Sequence, residues 1–376
     1  MSTDSADSSL TYRRVALWGS LAAKLVGAWG LSWDIQWHMT IGRDSFWIAP
    51  HLMIYASVVV GLLFAWGVLA YEWRRGISST RGFLLSGLGL VLVVLAAPID
   101  DLWHRLFGLD VTLWSPPHLL ALFGSAVSTL GCLLIAVEVY PLRSWTGRAA
   151  LLLAGAQLYG GIRVTLDPSW ILAYTYAGVL FHTFAILAAL LLPLALVTAA
   201  RLSALRWAPV LAVIVSFGIG LSSQQVARVG FETLKPVSFL GEEIARDSGS
   251  HVALGREIAE KNRAVPPPSW ALRLALPLVP AVVMALADPR RRPRAASIAY
   301  GVAVFAAYTW FLSTLPAYAP LMPTALEGAT ALGLAVLAGA AGGGATAWLA
   351  DRLLGGAPRP RVVAKGSVAG ATSPGR

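Results

Sequence analysis

The chain has 376 residues, 57% of them hydrophobic and 13% charged, with a mean hydropathy of +0.67. A soluble domain carries about a quarter charged residues, so this composition excludes an ordinary soluble enzyme or binding module. The net charge of +10 is distributed between apolar runs as a topology signal, so the expected partner is the lipid bilayer and not nucleic acid.

Apolar runs near the length that crosses about 30 Å of hydrocarbon recur at 14–34, 50–71, 82–99, 117–139, 148–164, 169–199, 207–223, 270–287, 296–315 and 325–350. They predict an all-α fold, a polytopic transmembrane helical bundle of ten spans. The fifth run is short, and the sixth is long enough to tilt or project from the bilayer. A transmembrane barrel would alternate apolar and polar residues instead. Residues 1–13 carry Asp4 and Asp7 and make a poor signal peptide, so they are read as a cytoplasmic segment before a retained first helix. The organisation that follows is a duplicated hairpin region at 14–140 and further transmembrane helices at 141–223. An outer-face loop at 224–268, more transmembrane helices at 269–354 and a disordered cytoplasmic tail at 355–376 complete it.

Lys and Arg favour short cytoplasmic loops. One set of connections holds Arg13 and Arg14, Arg74, Arg75 and Arg81, Arg143 and Arg148, then Arg201 and Arg206. The same alternation continues with Arg290 to Arg292 and Arg294, and ends in the tail with Arg352, Arg359, Arg361 and Lys365. The short alternate connections hold only Arg43, Arg105 and Arg163. This places both termini in the cytoplasm and both motif-bearing turns at the outer face.

Two stretches at the outer turns repeat each other. WDIQWHMTIGRDSFWIAPHLM, from Trp33, aligns with PIDDLWHRLFGLDVTLWSPPHLL, from Pro98, with one inserted residue. Asp34 matches Asp100, His38 matches His104, Asp44 matches Asp110, and His51 matches His118. The fold therefore carries a tandem duplicated helical hairpin near its N-terminus. An Asp and a His four apart share one helix face, and a Pro suits the first turn of the returning helix. Each hairpin can thus gather two imidazoles and a carboxylate, a donor set for copper, zinc or non-haem iron. Asp44 and Asp110 are expected to orient the imidazoles. The alternative is a duplication whose polar residues only cap helix ends. Trp37, Trp103, Trp47 and Trp114 read as interface anchors. The lone Cys132 excludes a thiolate cluster and an intrachain disulfide.

Over about residues 14–140, these motifs resemble the C subunit of the particulate methane and ammonia monooxygenases, a copper membrane monooxygenase family. The spacing of Asp34, His38 and His51, and then of Asp100, His104 and His118, is similar to that of the family's two copper sites. The family's second site begins with Asn where this chain has Asp100, and its Pro-x-His is here Pro50-His51. The resemblance implies copper, an oxidoreductase role in hydroxylating a small apolar substrate with oxygen, and partner membrane subunits. A membrane copper or zinc carrier, sensor or assembly protein without catalysis is the alternative, and the oligomeric state, homo-oligomer included, stays open. Haem ligation is a third option, opposed by the Asp that precedes each His. Lys24 and His182 lie inside spans, where a polar group is a functional candidate. His251 is read as solvated in the outer loop, and Glu327 as an interface residue.

Overall fold

The computed structural model describes residues 3–42, 45–107, 112–141 and 144–356, with side chains between residues 8 and 353 of these. Asp44 and Asp110, the two expected orienting carboxylates, lie outside the described residues, as does the tail beyond 356. Among the described residues the fold is all-helical, without a strand. Among the described residues nine helices are long and apolar enough to cross a membrane, which makes the chain an integral membrane protein.

The first four helices are α1 (Thr3–Thr40), α2 (Ala49–Arg74), α3 (Arg81–Phe107) and α4 (Pro116–Val139). They form two hairpins, α1–α2 and α3–α4, packed side by side through α2 and α3. Helix α1 begins well before residue 14, so most of the expected N-terminal segment is helical. Where water is absent, helices associate through close packing of small residues. In the second hairpin Gly82, Ser86 and Gly89 of α3 face Gly124, Ser128 and Gly131 of α4. A Cβ on Gly124 would stand 2.6 Å from the Gly89 carbonyl oxygen, so the backbones touch. In the first hairpin Gly30 fills the same role: a Cβ there would stand 2.9 Å from Ile54 Cγ1 and 3.2 Å from the Pro50 carbonyl oxygen.

At one end of this four-helix unit the buried Glu72 accepts from Arg13 Nε at 2.8 Å and from the Thr80 backbone N–H at 2.8 Å. Arg14 Nε donates to the Val139 carbonyl at 3.0 Å. These bonds tie together the start of α1, the end of α2, the start of α3 and the end of α4. Both Asp/His turns are consequently at the opposite end.

The next helices are α5 (Trp145–Thr165), α6 (Ser169–Tyr176), α7 (Thr183–Leu191), α8 (Pro193–Ser203) and α9 (Ala208–Leu234). The expected continuous sixth span at 169–199 is divided. Ala177 and Gly178 both take positive φ, a short 3-10 turn covers Gly178–His182, and Pro193 starts a new helix. Gly tolerates that backbone and Pro cannot continue a helix from its own position. The stretches long and apolar enough to cross are instead Trp145–Tyr176 and Gly178–Ser203. Helix α9 continues eleven residues beyond the expected end at 223.

Two short helices follow, α10 (Leu240–Arg246) and α11 (His251–Lys261), and then α12 (Trp270–Leu286), α13 (Pro293–Ser313) and α14 (Ala325–Gly356). Helix α12 has 17 residues, which places it below the nine long helices. Helices α7, α8, α13 and α14 form the second half of the bundle, and α9 and α12 connect it to the first half. The 224–268 segment folds back over α1. Phe239 N–H donates to the Ile41 carbonyl at 2.7 Å and Ser238 Oγ to the Thr40 carbonyl at 2.6 Å. Gly42 takes φ +77°, and a Cβ there would strike Leu240 at 2.8 Å.

Candidate metal centre

Each Asp/His trio is built from the last turns of one helix and the first turn of the next. Asp34 and His38 close α1, and Asp100 and His104 lie near the end of α3. His51 and His118 are third residues of α2 and α4, which start one residue earlier than Pro50 and Pro117 suggested.

In the second trio, His104 Nε2 stands 3.4 Å from Asp100 Oδ2 and His118 Nε2 stands 3.3 Å from Asp100 Oδ1. One ligand atom from each residue lies within 4.8 Å of the other two, so the group could hold a metal ion. His118 Nδ1 donates to the Thr112 carbonyl at 2.8 Å. A carbonyl can only accept, so Nδ1 carries the hydrogen. The Nε2 facing Asp100 is then either protonated or a lone pair aimed at a carboxylate oxygen. The latter is repulsive unless a cation stands between them. Asp100 Oδ1 is buried and makes no hydrogen bond. Both states demand positive charge at the centre, as a proton or a metal ion, and the residues present fit the metal.

The first trio is less symmetric. His51 Nε2 lies 3.1 Å from Asp34 Oδ1, close to its counterpart. His38 Nδ1 lies 3.7 Å from that same oxygen but donates to the Asp34 backbone carbonyl at 2.9 Å. The imidazole nitrogen nearest the carboxylate therefore carries a hydrogen and cannot ligate in this ring orientation. Of the two expected trios, the structure gathers Asp100, His104 and His118 to ligand spacing, and holds Asp34 with His51 while turning His38 onto its own helix.

Both trios border one cavity of about 1370 Å³, lined by Asp34, His38, His51, Asp100 and His118 at one end. It passes between α1, α2, α3, α4, α5 and α9 to Ser20 and Lys24. His251 is not simply solvated: it lines this cavity, as do Gly255 and Ile258 of α11. His182 is buried away from it, stacked on Phe305 at 4.4 Å and 3.2 Å from Thr309 Oγ1. Glu327 accepts from Thr324 N–H and Oγ at 2.8 Å each, capping α14. Of the tryptophans, Trp47 is exposed, but Trp37 is buried and stacked on Phe231 at 5.9 Å. Trp114 Nε1 donates to the Thr165 carbonyl at 2.6 Å, pinning the second turn to α5.

Sequence spacing could not find the Thr112 carbonyl, because a backbone acceptor leaves no residue signature. Glu72 had a faint signal, an acidic residue amid the basic helix ends. No protein-family model matches the chain, and comparison with curated proteins and with solved structures returns no match.

Proposed function

We propose that the protein binds copper in its membrane-embedded Asp/His trios, with zinc or non-haem iron as the other metals the donors suit. The observation that carries this is the second trio, where a committed His118 tautomer faces a buried Asp100 oxygen that makes no hydrogen bond. Asp100, His104 and His118 would hold one ion. Asp34 and His51 would hold another, completed by His38 on rotation of its ring. The Arg-rich helix ends at the opposite pole support an outer-face location for the trios and cytoplasmic termini, and the resemblance supports a bacterial or archaeal plasma membrane. Helix α12 must cross for this parity, which agrees with its packing between α9 and α13.

The spacing it shares with the copper monooxygenase C subunit supports an oxidoreductase role on a small apolar substrate, alone or with partner subunits. Copper, when bound, would supply the redox chemistry that activates oxygen. The chain's own part is to fix the imidazoles, through the Thr112 carbonyl for His118, and to present a mostly apolar cavity. A carrier that moves the ion across the membrane is disfavoured by the thin supply of polar positions at depth, Lys24 among them, along this cavity. The Asp between each imidazole pair opposes haem.

The test is metal content by mass spectrometry of protein from copper-supplemented membranes, beside a variant with His38, His51, His104 and His118 all changed to Ala. Copper that disappears in the variant supports the proposal. Equal copper in both, or none in the folded parent, removes it.

A further inference from the structure

The floor of the cavity is polar and lies far from the trios. Ser20 and Lys24 share one face of α1, and both line the cavity. Ser20 is only 2% exposed, and its Oγ has no hydrogen-bond partner. Gln157 of α5 also lines the cavity. Its Nε2 donates to the Leu21 carbonyl at 2.9 Å, which fixes the amide, yet its buried Oε1 has no partner. Lys24 makes no ion pair or hydrogen bond among the described residues. Three polar groups of a membrane interior thus meet an apolar chamber with their capacity unspent. Each such group costs free energy unless something answers it.

We infer that the Ser20–Lys24–Gln157 floor binds the carboxyl group of a fatty acid, whose alkyl chain runs up the cavity towards the trios. A lysine amine with no carboxylate of its own suits an acidic partner, and the Ser20 hydroxyl adds a hydrogen-bond donor. An acid arriving from the lipid brings its own proton. The proton leaves the carboxyl oxygen for Lys24 Nζ or stays shared between them, so no net charge enters the membrane. Gln157 Oε1 accepts from the ammonium. The ten residues from Lys24 to Asp34 span about 15 Å of helix. An extended chain advances about 1.2 Å per bond, so roughly twelve carbons reach the level of the trios. The binding site stands whether or not the trios hold metal.

The test is equilibrium binding of radiolabelled laurate to the full chain in lipid nanodiscs, with lauryl alcohol as the neutral competitor. One saturable site is expected. Lys24→Met should weaken it at least tenfold, Lys24→Arg should retain it, and Ser20→Ala should weaken it several-fold. Lauryl alcohol should compete poorly, and the His104→Ala/His118→Ala double variant should bind laurate as the parent does. Unchanged laurate binding by Lys24→Met, or equal competition by the alcohol, would show only partition into an apolar gap and overturn the inference. Lys24→Met replaces an intramembrane amine with an apolar side chain of similar length and should fold. Its failure to fold beside a folded Lys24→Arg would make Lys24 structural and overturn the inference as well.

Discussion

Gly124→Ala tests whether the second trio is held by backbone contact between α3 and α4. Gly124 lies six residues beyond His118, about 9 Å along α4. A Cβ there would stand 2.6 Å from the Gly89 carbonyl oxygen and 2.9 Å from Leu92 Cβ. Ordinary contact begins near 3.4 Å, so α4 must move away from α3 by about 0.8 Å, since packed helices transmit strain instead of absorbing it. Carried to the turn, that shift would widen the 3.3 Å Asp100–His118 separation to about 4.1 Å. Metal sites tolerate about 0.2 Å. Affinity at this trio should fall roughly tenfold to a hundredfold, the range seen when a ligand's support is lost. Overpacking should cost about 1–3 kcal/mol of stability, short of unfolding. The assay is copper titration against a competing chelator in a His38→Ala/His51→Ala background, so that only the second trio reports. A folded Gly124→Ala protein with full affinity would refute the link between helix contact and site geometry.

Glu72→Ala strips a fully buried carboxylate of its bonds to Arg13 and Thr80; a loss of roughly 3 kcal/mol is expected from breaking such a pair, read as a lowered melting temperature. Asp288 lies in the turn between α12 and α13, where hydrogen bonds from the Arg290 side chain, then the Arg290 charge, hold its carboxyl below the usual range despite some desolvation. Its contribution is therefore complete above the unfolded carboxylate value of about 3.9 and is lost as pH falls through the lower folded value. Asp288→Asn should flatten that acid limb in melting curves from pH 7 to pH 3, and an unchanged limb would assign it to other carboxylates. Topology is open to single-cysteine labelling because Cys132 is buried. Trp47→Cys should react with an impermeant maleimide on intact cells, and Trp73→Cys only after permeabilisation; the reverse pattern would invert the proposed orientation.

The sequence by itself determined the class of this protein and the pairing of its hairpins. Twenty-residue apolar runs have few ways to satisfy their backbone in lipid other than as helices, and a carboxylate four residues before an imidazole shares its face by helical period alone. The division of the 169–199 run was not legible, because Ala177 at positive φ is a residue that ordinarily favours helix. The difference between the trios was not legible either. Asp34/His38 and Asp100/His104 have the same spacing, yet His38 turns its Nδ1 onto the Asp34 backbone carbonyl while His104 turns its Nε2 to the Asp100 carboxylate. Ring orientation follows whichever backbone acceptor is within reach, and that depends on the turn's path. The shared cavity belongs to tertiary structure entirely. Ser20, Lys24 and Gln157 come from helices more than 130 residues apart in sequence, and only the packing of α1 against α5 leaves them together and facing open space.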